Sequence, residues 1–493
     1  MFAGMAASFT MVVSGTIVNV AVPSVIGAFG IGLDQAQLIT TGFNIAMVTS
    51  QLLSAWLVSA FGQRAGFLLM AGVFTLGSVI GGLGQTYDMI VVGRVLQGVA
   101  AGVIQPLVMV VAFQVFPADR RGYAMAIYSM GIFLAVAAGP VFGGIAIDLL
   151  HWRYIFWAPL PVIFVAALMG WVFMPSVRSE ERKEFDWVGY ILLIGSVYCL
   201  VTALTEGNRE GWTSSYIIGL FIIGFAGGIT LIWTQLQDWS SLIDLTLFKN
   251  KQFAMTAFIA FVFGIGNFGT GYGVPVFGQL IQGMTPIVAA LIMLPSSLLI
   301  VAALPFTGKL ADRIPAHIGI LIGLALFAIG TAPMASADVN TPFILIGFYF
   351  IISRMGMSFT NPFIMSTALR TLPPEQLSSG GGMVNFCRQF GGSMGLTAWV
   401  AFVQYRTQHH GDALTATQSS DNSTTRELMD SVSQLLSGAG LPQEIQSSGA
   451  LHFLGEVIHA QASTFGFQDG FRFLVVFFLC AMVPAYLLGR IKK

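Results

Sequence analysis

Apolar residues along this chain come in long blocks, and polar residues gather between them. Fourteen blocks stand out, at about 3–27, 36–60, 64–84, 89–115, 122–148, 154–174, 187–206, 214–235, 253–279, 285–306, 315–336, 341–369, 379–404 and 469–489. A helix needs roughly 20 apolar residues to cross a bilayer. Lipid offers no partner for a backbone N–H or C=O, so blocks of this length predict helices. The two-residue alternation of a membrane β-barrel is absent from the pattern. Two interruptions divide the series. Residues 175–186, PSVRSEERKEFD, read as a short charged linker, and residues 405–468 read as a long polar loop. Two blocks between the linker and about residue 250 are surplus to a pair of sixes. The expected architecture is therefore an all-α integral membrane protein in three parts. Residues 1–174 form a six-helix bundle, 175–252 a linker with two extra spans, and 253–493 a second six-helix bundle carrying the loop 405–468.

Composition agrees with the pattern and charge orients it. The chain is 55% hydrophobic and 9% charged, with mean hydropathy +0.80, where a soluble domain carries about 25% charged residues. The net charge is zero, and nothing in its distribution points to nucleic acid. Lys and Arg collect in alternate loops: Arg64, Arg120, Arg121, Arg178, Arg182, Lys183, Lys249, Lys251, Lys309, Arg313, Arg370, Arg490, Lys492 and Lys493, fourteen in all. The opposite loops hold five, Arg153, Arg209, Arg406, Arg426 and Arg472. The positive-inside rule then places the first set and both termini in the cytoplasm. Cys199, Cys387 and Cys480 fall within spans, with neither disulfide nor metal-ligand spacing.

The two sixes echo one another, as transporter halves do when substrate sits between them. Gln105-Pro106 in the fourth block corresponds to Asn361-Pro362 in the twelfth. The loop Gly308 to Arg313 corresponds to Ala55 to Arg64, with Ser59 in the place of Asp312. Three arginines, Arg94, Arg354 and Arg388, lie inside blocks where no Asp, Glu, Lys or His sits comparably deep. A buried charge costs about 2.5–3.5 kcal/mol on insertion scales, so it is kept for pairing or for function. Arg94 either ties neighbouring carbonyls together or acts as a charged relay, with Gln97 one turn away on the same face. Small residues after it permit close helix packing. Asn19, Asn361 and Asn385 are further polar candidates for a cavity lining, though a lone Asn more often bonds across helices. Gly139-Pro140 with Gly143 and Gly144 predicts a pliable point in the fifth block. In the polar stretch, Thr424-x-x-Glu427 reads as a capping box before an amphipathic helix, and a second helix is expected over about 449–463. No cofactor or metal site is indicated.

Taken together, RVLQGVAAG at 94–102, AGPVFGG at 138–144, HWRYIF at 151–156, GKLADR at 308–313, VPVFGQLIQG at 274–283 and NFCRQFGGSMG at 385–395 resemble the major facilitator superfamily. More narrowly, the chain resembles its 14-span drug:proton antiporters of the EmrB-like type. The resemblance implies a major facilitator fold and marks Gly139, Pro140, Gly143, Gly144, Gly308, Asp312 and Arg313 as a conformational motif. One departure matters. Members of this family usually carry Asp in the first span where this chain has Ser14, and that Asp is implicated in proton coupling and cation binding. Serine cannot change charge in the physiological range.

The resemblance implies secondary export of an amphipathic small molecule across a bacterial inner membrane, driven by the proton gradient and assisted by a periplasmic adaptor (membrane fusion protein) and an outer-membrane channel. Ser14 and the three arginines favour an alternative, export of an anionic substrate such as a fatty acid, lipid or siderophore-like acid. A non-transporting membrane sensor or structural protein is the reading from another class. An enzyme is not expected, because no deep nucleophile-and-base pair or metal cluster is present in the sequence.

Overall fold

The computed structural model describes residues 2–31, 33–174, 185–237, 242–418 and 422–490. Most of the charged linker, and the side chains of Asn19, Asp34, Pro140 and Asp148, lie outside the described residues. Seventeen α-helices follow in order: α1 (Phe2–Phe29), α2 (Leu33–Ser50), α3 (Leu53–Phe61), α4 (Gln63–Leu83), α5 (Tyr87–Val115), α6 (Arg121–Leu149), α7 (Tyr154–Trp157), α8 (Leu160–Phe173), α9 (Trp187–Glu210), α10 (Ser215–Leu236), α11 (Lys251–Leu280), α12 (Pro286–Arg313), α13 (Ala316–Thr331), α14 (Phe343–Arg370), α15 (Leu377–Ala416), α16 (Ser423–Gly438) and α17 (Gln443–Leu488). Among the described residues there is no strand. Ten of these helices are long and apolar enough to cross a membrane, or eleven if a bent pair counts as one span. The other apolar blocks fall in α1, α6 and α15.

Helices α1 to α8 pack among themselves, as do α11 to α15 with α17. The two groups meet where α6 lies against α12 and α14, and where α15 lies against α2, α3 and α5. The α9–α10 hairpin touches both groups through α9, which lies against α2 and α15. Burial follows this geometry. The most apolar window of α5 is 83% buried and that of α10 is 17% buried, which places α5 at the centre and α10 in the lipid-facing rim. Polar caps start the helices where water is available. Asp186 accepts from Gly189 N at 2.7 Å and from Gln235 Nε2 at 2.6 Å, so one carboxylate starts α9 and pins it to α10. Asn250 Oδ1 accepts from the amides of Gln252 and Phe253 and starts α11.

Two elements differ from the pattern-based expectation. The second block is broken: Leu38–Ser50 and Leu53–Phe61 meet at 59°. Hydroxyls flank the break: Thr49 Oγ1 donates to Ile45 O, and Ser54 Oγ donates to Gln51 O, bonds of a kind that favour bending. The stretch 405–468 is mostly helix and not loop. Helix α15 continues to Ala416, α17 starts at Gln443 and runs into the last span, and α16 lies between them. At 1.5 Å per residue the 46 residues of α17 cover roughly 69 Å, about twice the hydrocarbon thickness, so α17 projects well beyond the bilayer. The cap of α16 is Asn422, whose Oδ1 accepts from Thr424 N and Thr425 N; Thr424 does not begin the helix.

Candidate functional site

Arg94 is fully buried at the junction of α1, α2, α4 and α5. Its Nη1 donates to Ser14 O at 3.1 Å, Ser14 Oγ at 3.3 Å and Gln97 Oε1 at 2.8 Å, and its Nε donates to Ile39 O at 3.4 Å. The guanidinium also lies over Phe43, 4.1 Å from the ring centroid. Gln97 passes the network on by donating to Ser78 Oγ at 2.8 Å. Close approach is what makes this possible. A Cβ at Gly77 would lie 2.7 Å from Gly93 O, so α4 and α5 touch backbone to backbone. Side chains at Gly98 and Gly102 would collide with the carbonyls of Phe43 and Met47 on α2. Ser14 therefore stands beside the arginine: the position lacking the family's carboxylate faces Arg94, and only neutral oxygens receive the charge. Arg94 Nη2 has no hydrogen-bond partner.

Arg354 is held in the same manner within the second half. Its Nη1 donates to Asn267 Oδ1 at 2.7 Å and its Nη2 to Asn267 O at 3.3 Å, with Phe350 beneath the guanidinium at 4.7 Å. Room for it comes from Gly271, where a Cβ would stand 2.7 Å from Arg354 Nη2. Arg388 donates from Nη2 to Asn385 Oδ1 at 3.0 Å. Among the described side chains no carboxylate pairs with any of these three arginines, and oxygens of Ser, Asn, Gln and backbone serve instead.

Asn385 and Asn361 lie where the halves meet. Asn385 Nδ2 donates to Met109 Sδ on α5 at 3.2 Å, and Asn361 Nδ2 donates to Ser129 Oγ on α6 at 2.8 Å. Gln389 Nε2 and Gln105 Nε2 both point at Met47 Sδ, at 3.9 and 3.8 Å. Among the described residues, Asn361 Oδ1, Arg388 Nε and both polar atoms of Gln51 are buried at this plane without partners, beside the thioethers of Met47 and Met109. Met47, Met109 and Gln389 were missed as site residues by sequence reasoning, because methionine in a span reads as filler and the glutamine was passed over within its motif.

The conformational motif divides between two places. Asp312, at the end of α12, accepts from Gly122 N at 2.6 Å and Tyr123 N at 3.0 Å, in the first turn of α6. It thereby satisfies two free amides and meets the positive end of a helix belonging to the other half. Arg370, at the end of α14, pairs with the same carboxylate, which is only 8% exposed. Gly308 permits the contact, since a Cβ there would collide with Ala126. Arg313 is exposed and outside the latch; Arg370, overlooked in the sequence, takes the pairing role. Ser59, the counterpart of Asp312, bonds locally to Trp56 O at 2.8 Å. At the other location, a Cβ on Gly139 would collide with Thr16, which marks close packing of α6 on α1, whereas one on Gly144 would meet nothing within 4 Å. Gly143 is buried in the same turn. The interhelical bonds of Asp312, Asn361, Asn385 and Gln389 all lie in the half of the molecule nearer the basic loops. Among the described residues, no cluster of three or more His, Cys, Asp or Glu is placed to hold a metal ion.

Two six-helix groups meet at a polar plane, with a charged latch at one end. The chain belongs to the Major Facilitator Superfamily, whose profile matches residues 4–396. Among its relatives, the "Multidrug export protein EmrB" of Haemophilus influenzae is 27% identical over 468 residues, covering 93% of this chain and 92% of the relative. The EmrB of Escherichia coli K12 is 28% identical over 459 residues, covering 90% and 86%. The "Uncharacterized MFS-type transporter YhcA" of Bacillus subtilis is 25% identical over 490 residues, covering 99% and 92%. The fold is also that of the human organic anion transporter MFSD10, with TM-score 0.61 at 10% identity, covering 97% of this chain and 98% of the other. The likeness to EmrB proteins agrees with the EmrB-like resemblance read from the motifs.

Proposed function

We propose that this chain exports amphipathic organic compounds by alternating access across a bacterial inner membrane, using the proton gradient, with both termini in the cytoplasm. The observation that carries the reading is the Asp312 latch, which joins α6 of one half to α12 and α14 of the other at the basic end. If that end is cytoplasmic, the structure represents the state closed toward the cell interior. The three-part division of the chain at 174/175 and 252/253 fits this mechanism, with the α9–α10 hairpin as a passenger beside the moving halves. The membrane-exporter names of the EmrB relatives support a drug-like substrate class.

Ser14 offers no carboxylate for coupling; the Asp312 latch, which holds both the α6 amides and Arg370, is proposed to gate the basic end. The helices that outrun the bilayer, α15 to α17, form the surface proposed to meet a periplasmic adaptor and, through it, an outer-membrane channel. The test is flux in proteoliposomes with an imposed pH gradient, using matched cationic and anionic amphiphiles. Gradient-dependent movement that Asp312→Asn slows at least tenfold is expected. Absence of gradient-dependent flux in the native chain would sink the reading.

A further inference from the structure

We infer that the projecting cap holds a second binding site, for amphipathic organic cations, apart from the plane where the two halves meet. Its role as a release station rests on the exporter reading; its binding chemistry does not. A cavity of about 1220 Å³ lies between the outer end of α11, the extension of α15, α16 and the stretch of α17 from Leu451 to Phe467. That is somewhat above the usual range of small-molecule sites, about 300–1,000 Å³. Its floor is apolar and fixed. Trp399 is fully buried and donates from Nε1 to Gly470 O at 2.7 Å, and Val403 and Phe467 lie beside it. Met429 on α16 and Leu454 on α17 continue the apolar wall.

The scaffold around this cavity is locked. Asp469 on α17 accepts from Arg406 Nε at 2.7 Å and Arg472 Nη1 at 2.8 Å, and lies 2.8 Å from His410 Nε2, which ties α15 to α17. Sites on rigid elements hold their geometry better than sites on loops. The rim is polar and includes Asp412, Arg426 and His459. Asp412 is exposed, and its carboxylate has no bond or ion pair among the described residues, whereas Arg426 already has an interaction of its own. The free carboxylate of Asp412 at the edge of an apolar well suits a molecule with a cationic head and a hydrophobic body.

Photolabelling of the full chain in nanodiscs with a diazirine derivative of rhodamine 6G, followed by peptide mapping, tests this with no gradient applied. Adducts are expected on 400–415 and 451–463. Gly455→Trp and Thr415→Trp fill the cavity from opposite walls, and a Cβ at Gly455 meets nothing within 4 Å. Either is expected to cut adducts in those peptides at least tenfold, and Asp412→Asn several-fold. Gly219→Trp, on α10 with equally open space, serves as the control and is expected to change nothing. Unchanged cap labelling in both filled variants, or equal labelling by a sulfonated anionic analogue, overturns the inference. So does a native mass spectrum in which a phospholipid, and not rhodamine, is lost from Gly455→Trp. Because labelling is read at equilibrium, loss of flux in the native chain tests the exporter reading alone.

Discussion

Arg94 remains buried without a carboxylate because four neutral oxygens and one aromatic ring share its charge. Hydrogen bonds to charged groups contribute about 1.5–3 kcal/mol each, enough to offset the about 2.5–3.5 kcal/mol that insertion scales assign to a mid-membrane arginine. The arrangement still leaves Nη2 unpartnered. A counter-charge should therefore be welcome at position 14. Ser14→Asp is expected to raise stability by about 1–3 kcal/mol through a charge-assisted bond to Nη1, read as a higher melting temperature in detergent; a lower one would show that the site lacks room. Arg94→Ala is expected to cost about 3–5 kcal/mol, because it strips the partners of Ser14, Gln97 and Ile39 at once. The sequence made Arg94 and Ser14 conspicuous separately, one as a charge in hydrocarbon and the other as a departure from a family pattern. That the two touch was not legible, since eighty positions separate them and the contact depends on how α1 seats against α5. The same holds for Arg354, conspicuous alone, whose partner Asn267 looked like any polar residue in a span.

Glycine placement decides how closely the helices pack, and α11 is the clearest case. Five of its glycines, at 264, 266, 269, 271 and 273, are compatible by sequence with either bending or tight contact. The structure assigns each to a neighbour: Arg388 O, Phe478, Leu474, Arg354 and Trp399 in turn. Gly264→Ala would drive a methyl into a backbone carbonyl and is expected to destabilise by about 1–3 kcal/mol, the usual cost of overpacking. Gly144→Ala on α6 meets nothing, so it should gain about 0.5–1 kcal/mol from reduced chain entropy. Comparing melting and flux for the Gly144 variant separates packing from bending: higher stability with several-fold slower flux marks a hinge, and unchanged flux removes that role. Spans were readable at this scale because lipid leaves helix as the only outcome for an apolar block. The projecting ends of α15 and α17 were not, because once a helix leaves the hydrocarbon its sequence turns polar and looks like loop.

The two halves are joined unequally, and under the proposed alternating-access mechanism this asymmetry is expected to bias which state the whole molecule prefers. One latch has a carboxylate that caps α6 and pairs with Arg370; its counterpart has Ser59, which bonds only within its own turn. A single charge-assisted cluster therefore biases the equilibrium. Losing it should cost the closed state about 1.5–3 kcal/mol, a shift of roughly ten- to a hundredfold in population at about 1.4 kcal/mol per decade. Asp312→Asn keeps the shape but gives up the charge, and Arg370→Ala gives up the partner while leaving the α6 cap in place. The first should shift the population further than the second, because it weakens the two bonds to α6 of the other half, which the second leaves in place. Spin labels at Arg120 and Arg313, both exposed and on opposite halves, would report this as a longer-distance component in pulsed dipolar spectra, larger for Asp312→Asn. If Asp312→Asn and Arg370→Ala both leave the native distance distribution unchanged, the latch does not set the conformation of the basic end.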